Sequence, residues 1–307
     1  MFRFILGSLF VLFSGVLYAQ TDSVYMFSYF KNNGQDGLHF AYSNDGFQWK
    51  ALKGDSSFLK PTAGKDKLMR DPCIIYGADG QFHMVWTVSW HEKEIGYASS
   101  KDLVHWSEQQ ALPVMAHEKD ANNCWAPEIF YDEASKKYMI YWATTIPGRF
   151  PVIDSTDDNN HRIYYVTTKD FKKYTKAKVL YDQGFNVIDA TILKNGKEYV
   201  MFLKDETKKP VAKKDLHIAT SKKLTKGYGK PSPAITGKYW AEGPTAIKMG
   251  EEWVVYFDKY TSGRYGAVTS TDLVNWKDIS DKIVMPKGIR HGTVFKISAA
   301  QFKIINN

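Results

Sequence analysis

The amino-acid sequence predicts an all-β protein built as a five-bladed β-propeller. Three observations carry this prediction: helical periodicity is nearly absent, short runs of β-branched and aromatic residues recur between Gly, Asn, Asp or Lys turns, and one strand-turn signature returns five times. Radial closure of such repeats removes the exposed sheet edges that a long meander would leave. The composition agrees, because 44% hydrophobic and 24% charged residues describe an ordinary globular chain of 307 residues.

The chain begins with a short apolar segment, residues 1–19, that we interpret as a secretory signal. Arg3 precedes an apolar run that is too short and too asymmetric for a spanning helix, and Ala19 suits a cleavage position. We therefore expect residues 20–307 to form one mature domain, located in the periplasm or secreted from the cell. No second apolar run follows, so we expect no membrane insertion.

Short apolar strands follow one another along the mature chain and are joined by hairpin turns. Turns such as Ala78-Asp79-Gly80 contain the residues that tight hairpins require. The predicted strands include residues 24–30, 38–42, 73–76, 82–88, 138–143, 163–167, 199–203, 253–257 and 266–269. This pattern indicates a succession of antiparallel hairpins.

A repeated turn divides the chain into five units. Each copy is a strand ending in Ser or Thr, then an acidic turn, then an aromatic residue, and the fourth copy is degenerate. The copies begin at Ser43, Ser100, Thr168, Thr220 and Ser270. Their spacing of about fifty to seventy residues suits a four-stranded propeller blade with its loops. Five copies therefore imply five blades.

A second series of motifs marks the start of each innermost strand. The motifs are Arg70-Asp71-Pro72, Trp125-Ala126-Pro127-Glu128, Val187-Ile188-Asp189-Ala190-Thr191, Glu242-Gly243-Pro244 and Arg290-His291-Gly292. One such motif would only initiate a turn, whereas five at the same phase indicate a shared site at one mouth of the central channel. The last inner strand, 293–297, lacks outer strands and residues 24–49 lack an inner one. We therefore predict that these two segments close the ring as one blade.

The formal net charge of +8 does not by itself indicate a nucleic-acid partner. The lysines form scattered pairs without the spacing of a nucleic-acid-binding motif, so we expect a solvated rim, with attraction to an acidic polysaccharide as the alternative. Cys73 and Cys124 lack the partners of a zinc or redox motif. Export would permit a disulfide between them, but their apolar surroundings are also typical of buried free thiols.

The five inner-strand motifs resemble those of the five-bladed propellers of glycoside hydrolase family 43, over essentially the whole mature chain. The resemblance implies that Asp71 is the catalytic base, that Asp189 modulates a neighbouring pKa, and that Glu242 is the general acid. It also implies that His291 faces a metal or water in the central channel. The sequence departs from the family pattern at Glu128, where Asp is frequent, and in its strands before the base motif.

These carboxylates suit the inverting hydrolysis of a glycosidic bond. Such an enzyme needs a protonated carboxyl at the leaving oxygen and an ionised carboxylate holding water on the other face, about 6.5 to 9.5 Å apart. Asp189, if close to Glu242, would raise the pKa of the glutamate by like-charge repulsion and keep it protonated near neutrality. Each carboxylate alone could be a turn residue, but the three together favour catalysis.

Other candidate site residues lie at or near the motif ends. The aromatic candidates for packing against the apolar faces of a sugar are Trp90, Trp125 and Trp240. Glu128 either orients a catalytic residue or a sugar hydroxyl, or forms an Arg-paired structural carboxylate. Arg290 is a candidate substrate contact. His291 is either a ligand of a hydrated cation such as calcium or a hydrogen-bonded histidine of the channel.

The motifs and the resemblance favour an exported exo-acting glycosidase for plant or algal polysaccharide, with α-L-arabinofuranosidase as the leading activity. The alternatives within the family are β-xylosidase and galactose-releasing enzymes, including those acting on galactofuranose. A catalytically dead propeller that only binds glycans would be expected to lose a carboxylate, and all three are present. A sialidase needs an arginine trio, and the arginines here are few. We expect a monomer that requires no cofactor for this chemistry.

Overall fold

The computed structural model describes residues 23–151 and 159–306, so the predicted signal segment lies outside the described residues. The described residues form five sheets that are arranged as the predicted five-bladed β-propeller. One short α-helix, α1 (Ala299–Ile305), follows the last strand, and 3-10 turns lie at Lys53–Asp55 and Ser280–Lys282. Within the described ranges, the helices are all too short or too polar to cross a membrane.

Nineteen strands make up the sheets of the described chain. In chain order they are β1 (Ser23–Tyr29), β2 (His39–Ser43), β3 (Lys50–Ala51), β4 (Arg70–Tyr76), β5 (Phe82–Thr87), β6 (Ile95–Ser100), β7 (Gln110–Leu112), β8 (Trp125–Asp132), β9 (Lys137–Thr144), β10 (Arg162–Thr168), β11 (Lys178–Tyr181), β12 (Val187–Asn195), β13 (Glu198–Asp205), β14 (Leu216–Ser221), β15 (Glu242–Met249), β16 (Glu252–Lys259), β17 (Arg264–Ser270), β18 (Lys277–Asp278) and β19 (Thr293–Ser298). The first blade has the order β19-β1-β2-β3, and the other four are β4–β7, β8–β11, β12–β14 and β15–β18.

The first blade closes the ring as predicted. Strand β1 pairs antiparallel with β19, so that Val24 lies opposite Ile297 and Ser28 opposite Thr293. The Ser28 hydroxyl also donates a hydrogen bond to the carbonyl oxygen of Pro72 in the second blade, at 2.7 Å. The N-terminal outer strands and the C-terminal inner strand therefore complete one sheet and join it to its neighbour.

The fourth blade has three strands in the described chain, and its repeated turn differs from the others. In an intact copy, Asp102 Oδ1 accepts two backbone N–H groups at 2.7 and 2.9 Å, which shapes the turn before the outer strand. In the fourth copy Ser221 is retained, but Lys223 stands at the position of the aspartate. The turn that follows β14 therefore lacks the carboxylate acceptor.

The hydrophobic core consists of five clusters, one between each pair of adjacent blades. Strand β13 shows how alternation supplies two of them: Val200 and Phe202 pack toward the fifth blade, while Met201 and Leu203 pack toward the third. The described cysteines are both buried in the cluster between the second and third blades, and both are free thiols. The two cysteines therefore form no disulfide with each other in this structure.

Candidate active site

One repeated backbone irregularity places the predicted site residues. In β4, β8, β12 and β15 the pairing register shifts inside the motif, which is the mark of a β-bulge. The bulged residue has a left-handed backbone: Asp71, Ala126, Asp189 and Gly243 have φ values of 53°, 46°, 54° and 58°. Bulges re-aim side chains, and these turn Asp71 and Asp189 toward a common cavity. His291 takes the corresponding place before β19.

A cavity of about 500 Å³ lies where the inner-strand motifs converge. Its volume is in the range of small-molecule binding sites. Seven of the nine predicted site residues line it: Asp71, Trp90, Trp125, Asp189, Glu242, Arg290 and His291. The structure therefore brings together residues from the motifs of all five blades.

Asp71 lies in this cavity with two polar neighbours. The Thr87 hydroxyl donates a hydrogen bond to Asp71 Oδ2 at 2.7 Å, and His291 Nδ1 is 3.4 Å from Asp71 Oδ1. Thr87 itself is held in place, because its Oγ1 accepts the backbone N–H of Ala126 at 2.8 Å. Asp71 is thus held by a fixed hydroxyl on one oxygen and faces an imidazole with the other, and this placement in the cavity suits a general base.

Asp189 is buried beside the other carboxylates. Its Oδ2 accepts the backbone N–H of Gly243 at 2.9 Å and lies 4.0 Å from His291 Nδ1. Burial raises the pKa of Asp189 to about 6, although His291 and Lys204 act in the opposite direction. Burial therefore favours the neutral form of Asp189 more than water does.

Glu242 does not have the raised pKa that the sequence predicted. Its Oε2 accepts a hydrogen bond from Lys204 Nζ at 3.1 Å, and its Oε1 accepts one from Arg290 Nη2 at 3.0 Å. Burial raises the pKa of Glu242, but Lys204 and Arg290 outweigh burial, so the pKa lies below its ordinary value of 4.5. The prediction was wrong because two cations contact Glu242 directly and outweigh the repulsion from Asp189.

The two cations that contact Glu242 are themselves held by acidic side chains. Lys204 is 2% exposed, forms an ion pair with Glu206 at 2.7 Å and lies 4.8 Å from the ring centroid of Tyr260. Arg290 Nε donates a hydrogen bond to the buried Asp258 at 2.6 Å. These bracing contacts fix both cations, so Glu242 has a set position in the cavity wall.

His291 lies among acidic groups of the cavity. Burial lowers the pKa of His291, but Asp189 and Asp71 outweigh burial and raise it, which favours an imidazolium without a free lone pair. In the described part of the chain, one group brings three carboxylate or imidazole ligand atoms together, and it consists of Asp205, Asp215 and His217, none of which lines the cavity. His291 therefore lies in the channel between two carboxylates, with its Nδ1 3.4 Å from Asp71 Oδ1 and 4.0 Å from Asp189 Oδ2.

Glu128 lies below the cavity and does not line it. Its carboxylate accepts hydrogen bonds from the hydroxyls of Thr191 at 3.0 Å and Thr293 at 3.3 Å. Burial raises the pKa of Glu128 to about 7. Glu128 therefore neither lines the cavity as a sugar contact nor pairs with an arginine among the described residues. It is a buried carboxyl group that joins three inner strands, and its predicted alternative role of orienting a catalytic residue stays a prediction.

Two of the three predicted tryptophans form an aromatic wall. Trp90 and Trp125 pack edge to face with ring centroids 5.5 Å apart, and Trp125 Nε1 donates a hydrogen bond to the carbonyl oxygen of Trp90 at 3.0 Å. Trp240 lies outside the cavity lining, with its ring 6.1 Å from that of Tyr260, which does line the cavity. Tyr260 therefore takes the place that the sequence had assigned to Trp240.

Comparison with known proteins identifies the family and agrees with the fold. The family model described as "Probable glycosyl hydrolase domain", which is related to family 43, matches residues 21–303. An α-L-arabinofuranosidase of Bifidobacterium longum subsp. longum is 23% identical, with 68% of this chain and 23% of that protein covered. The chain thus spans less than a quarter of the length of that relative.

Solved structures share the propeller fold. The α-L-arabinofuranosidase from Lactobacillus brevis has a TM-score of 0.55 and 20% identity, covering 68% of this chain and 72% of that one. A family 43 β-1,3-galactosidase has a TM-score of 0.52 and 16% identity, covering 72% of this chain and 48% of that one. Since the family model matches nearly the whole chain outside the predicted signal, the chain belongs to the glycosyl hydrolase 43-related family.

Proposed function

We propose that the protein is an exported, inverting exo-glycosidase that releases α-L-arabinofuranosyl residues from plant or algal polysaccharide. The observation that carries the proposal is the meeting of Asp71, Asp189 and Glu242 in one small cavity with an aromatic wall. A compact cavity of about 500 Å³ accommodates the end of a glycan chain, whereas an enzyme that cleaves within a chain needs a long groove. The names of two similar proteins support the arabinofuranosyl group.

The two carboxylates take separate roles in this reaction. Asp71 accepts a proton from a water molecule, and the water oxygen forms a bond to the anomeric carbon. Glu242 donates its proton to the leaving oxygen as the bond between that oxygen and the anomeric carbon breaks. Water attacks the face opposite the leaving group, so the configuration of the anomeric carbon is inverted.

The contacts of Glu242 set the pH range of this mechanism. Glu242 must carry a proton to act, whereas Lys204 and Arg290 lower its pKa in the free protein. The pH dependence of kcat/KM reports the ionisation of the free enzyme, so kcat/KM falls as the pH rises through the pKa of Glu242. We therefore expect the alkaline limb of the profile at acidic pH and not near neutrality.

Replacing Lys204 with Met is expected to move this alkaline limb to higher pH. The variant removes a positive charge 3.1 Å from Glu242, so the carboxyl group holds its proton more strongly. An opposite charge at such a distance shifts a pKa by about one unit or more. The measurement is kcat/KM against pH with an aryl glycoside. Arg290 still contacts Glu242 in the variant, so the site keeps one cationic partner.

Lys214→Met is the matched control for this prediction. Lys214 also pairs with Glu206, but within the described residues it does not line the cavity and forms no ion pair with Glu242. The control removes the same charge from the same ion-pair cluster, and we expect its alkaline limb to stay at the wild-type pH. An unchanged limb in Lys204→Met would show that Lys204 does not set the protonation of the acid.

Two other functions are distinguished by one set of substrates. A galactose-releasing activity is favoured by the similarity to a β-1,3-galactosidase, and a β-xylosidase is the other alternative that the sequence motifs leave open. The experiment is hydrolysis of nitrophenyl α-L-arabinofuranoside, β-D-xyloside, β-D-galactoside and β-D-galactofuranoside by the purified protein. We expect release from the arabinofuranoside. Release from another member would replace the sugar in the proposal, and glycan binding without any release would indicate a binding module.

A further inference from the structure

Arg70 is a cavity-lining cation without an acidic partner in the described chain. The other two braced cations of the wall are neutralised, since Lys204 pairs with Glu242 and Glu206, and Arg290 pairs with Glu242 and Asp258. By contrast, no described carboxylate lies within 4.0 Å of the Arg70 guanidinium. Its hydrogen bond goes to a neutral amide, from Nη1 to Asn33 Oδ1 at 2.9 Å.

The guanidinium of Arg70 is nevertheless held in a fixed position. Its central carbon lies 4.7 Å from the ring centroid of Phe30 and 4.2 Å from that of Trp90, so it is flanked by two aromatic rings. Asn33 Oδ1 accepts hydrogen bonds from both Arg70 and Trp90 Nε1, the latter at 3.1 Å. Of the five guanidinium N–H donors, one is used in contacts with described residues, and the others remain for a ligand.

We propose that Arg70 binds an anionic group, a carboxylate or a sulfate, carried by the glycan that enters the cavity. A guanidinium presents parallel N–H groups that match two oxygens of an oxyanion, and its fixed position lowers the ordering cost of that contact. The class of ligand is an acidic polysaccharide, with uronic acids as its commonest acidic unit. The glycan nature of the ligand rests on the proposed function, but the recognition of the negative charge does not depend on hydrolysis.

The charge of the whole chain agrees with this ligand. The formal net charge is +8, which attracts a polyanion over longer distances and raises its rate of encounter. Near the cavity, Asp71, Asp189 and Glu242 would repel a polyanion, so an acidic glycan needs a cation that these carboxylates do not neutralise. Arg70 meets that need because it contacts aromatic rings and an amide.

The test compares acidic sugars with neutral counterparts of the same ring. Binding of glucuronate against glucose, galacturonate against galactose, and galactose 6-sulfate against galactose is measured by calorimetry or ligand-observed NMR on the full mature chain. We expect at least one acidic sugar to bind about tenfold more tightly than its neutral counterpart. Preference for the uronates alone identifies a carboxylate as the ligand, and preference for the sulfate alone identifies a sulfate ester.

Variants assign the preference to Arg70. Arg70→Gln is expected to lose it, and Arg70→Lys to retain only part of it, because lysine keeps the charge without the paired N–H geometry. Arg264→Gln, at the exposed start of β17, removes the same charge away from the cavity and should keep the preference. Equal binding of acidic and neutral sugars by the wild-type protein overturns the proposal, as does a preference that persists in a folded Arg70→Gln protein.

The proposal and the enzymatic function fail in different experiments. Hydrolysis of a neutral nitrophenyl furanoside without any preference for acidic sugars overturns the role of Arg70 and leaves the glycosidase intact. Preference for acidic sugars that depends on Arg70, without hydrolysis of any nitrophenyl substrate, overturns the glycosidase and leaves the acidic ligand intact.

Discussion

Replacing Asp71 with Asn is expected to abolish hydrolysis of natural and activated substrates alike. The water that attacks the anomeric carbon needs a base whatever the leaving group is, and an amide cannot accept its proton. General-base contributions are of the order of 10³-fold, so we expect kcat to fall by about that factor on oligosaccharides and on aryl glycosides. The loss is measured under saturating substrate, so that binding and chemistry are separated.

A control and a stereochemical measurement complete this prediction. Asp79 lies in the turn beyond the opposite end of β4, so Asp79→Asn makes the same chemical change outside the cavity and should keep wild-type kcat. Proton NMR early in the reaction of the wild-type protein should show the product with inverted anomeric configuration. Retained configuration, or wild-type turnover by Asp71→Asn, would show that Asp71 is not the base.

The sequence predicts the blades, the closure of the ring and most of the cavity lining because each inner-strand motif stands at the same position within its repeat. The same bulge returns in four inner strands, so residues at equivalent positions of the sequence lie at equivalent positions around the channel. Asp71, Asp189 and His291 occupy one of these positions. The period of the motifs therefore contains the information that brings distant residues into one site.

Three side chains that hold the site residues in place were missed because they lie on the second strands of their blades. Thr87, Lys204 and Asp258 hold one register position, each opposite the residue that precedes a bulge. Lys204 and Asp258 each place a charge directly after a run of buried apolar residues. Extending the period search to the second strands would have found them, and it would have indicated that Glu242 has a cationic neighbour in Lys204.

Trp240 and Glu128 show that a residue's position relative to the bulge predicts a place in the cavity better than its closeness in sequence to a motif does. Trp240 precedes Glu242 by two residues, but it lies before β15 begins, and its ring packs near Tyr260 outside the cavity lining. Glu128 lies two residues beyond the bulge of β8, which places it deeper in the channel. In both cases the position relative to the bulge decides whether the side chain reaches the cavity.

Glu242→Gln is expected to affect substrates according to their leaving groups. A natural oligosaccharide has a poor leaving group that needs a proton, so its kcat/KM should fall by about 10³-fold. A dinitrophenyl glycoside leaves without protonation, so its kcat/KM should stay within a few-fold of wild type. The alkaline limb that Glu242 imposes on the natural substrate should also be absent from the dinitrophenyl profile of the variant.

Glu251→Gln is the matched control, because Glu251 is an exposed residue in the turn at the far end of the β15–β16 hairpin. It should keep wild-type kcat/KM on both substrates. The contrast between the two substrates separates the acid from a structural role, since damage to the cavity would slow both reactions equally. An equal loss on both substrates by Glu242→Gln would therefore show that Glu242 only holds Lys204 and Arg290 in place. Another carboxyl group of the cavity would then have to donate the proton, and Asp189 would be the candidate because its pKa is raised.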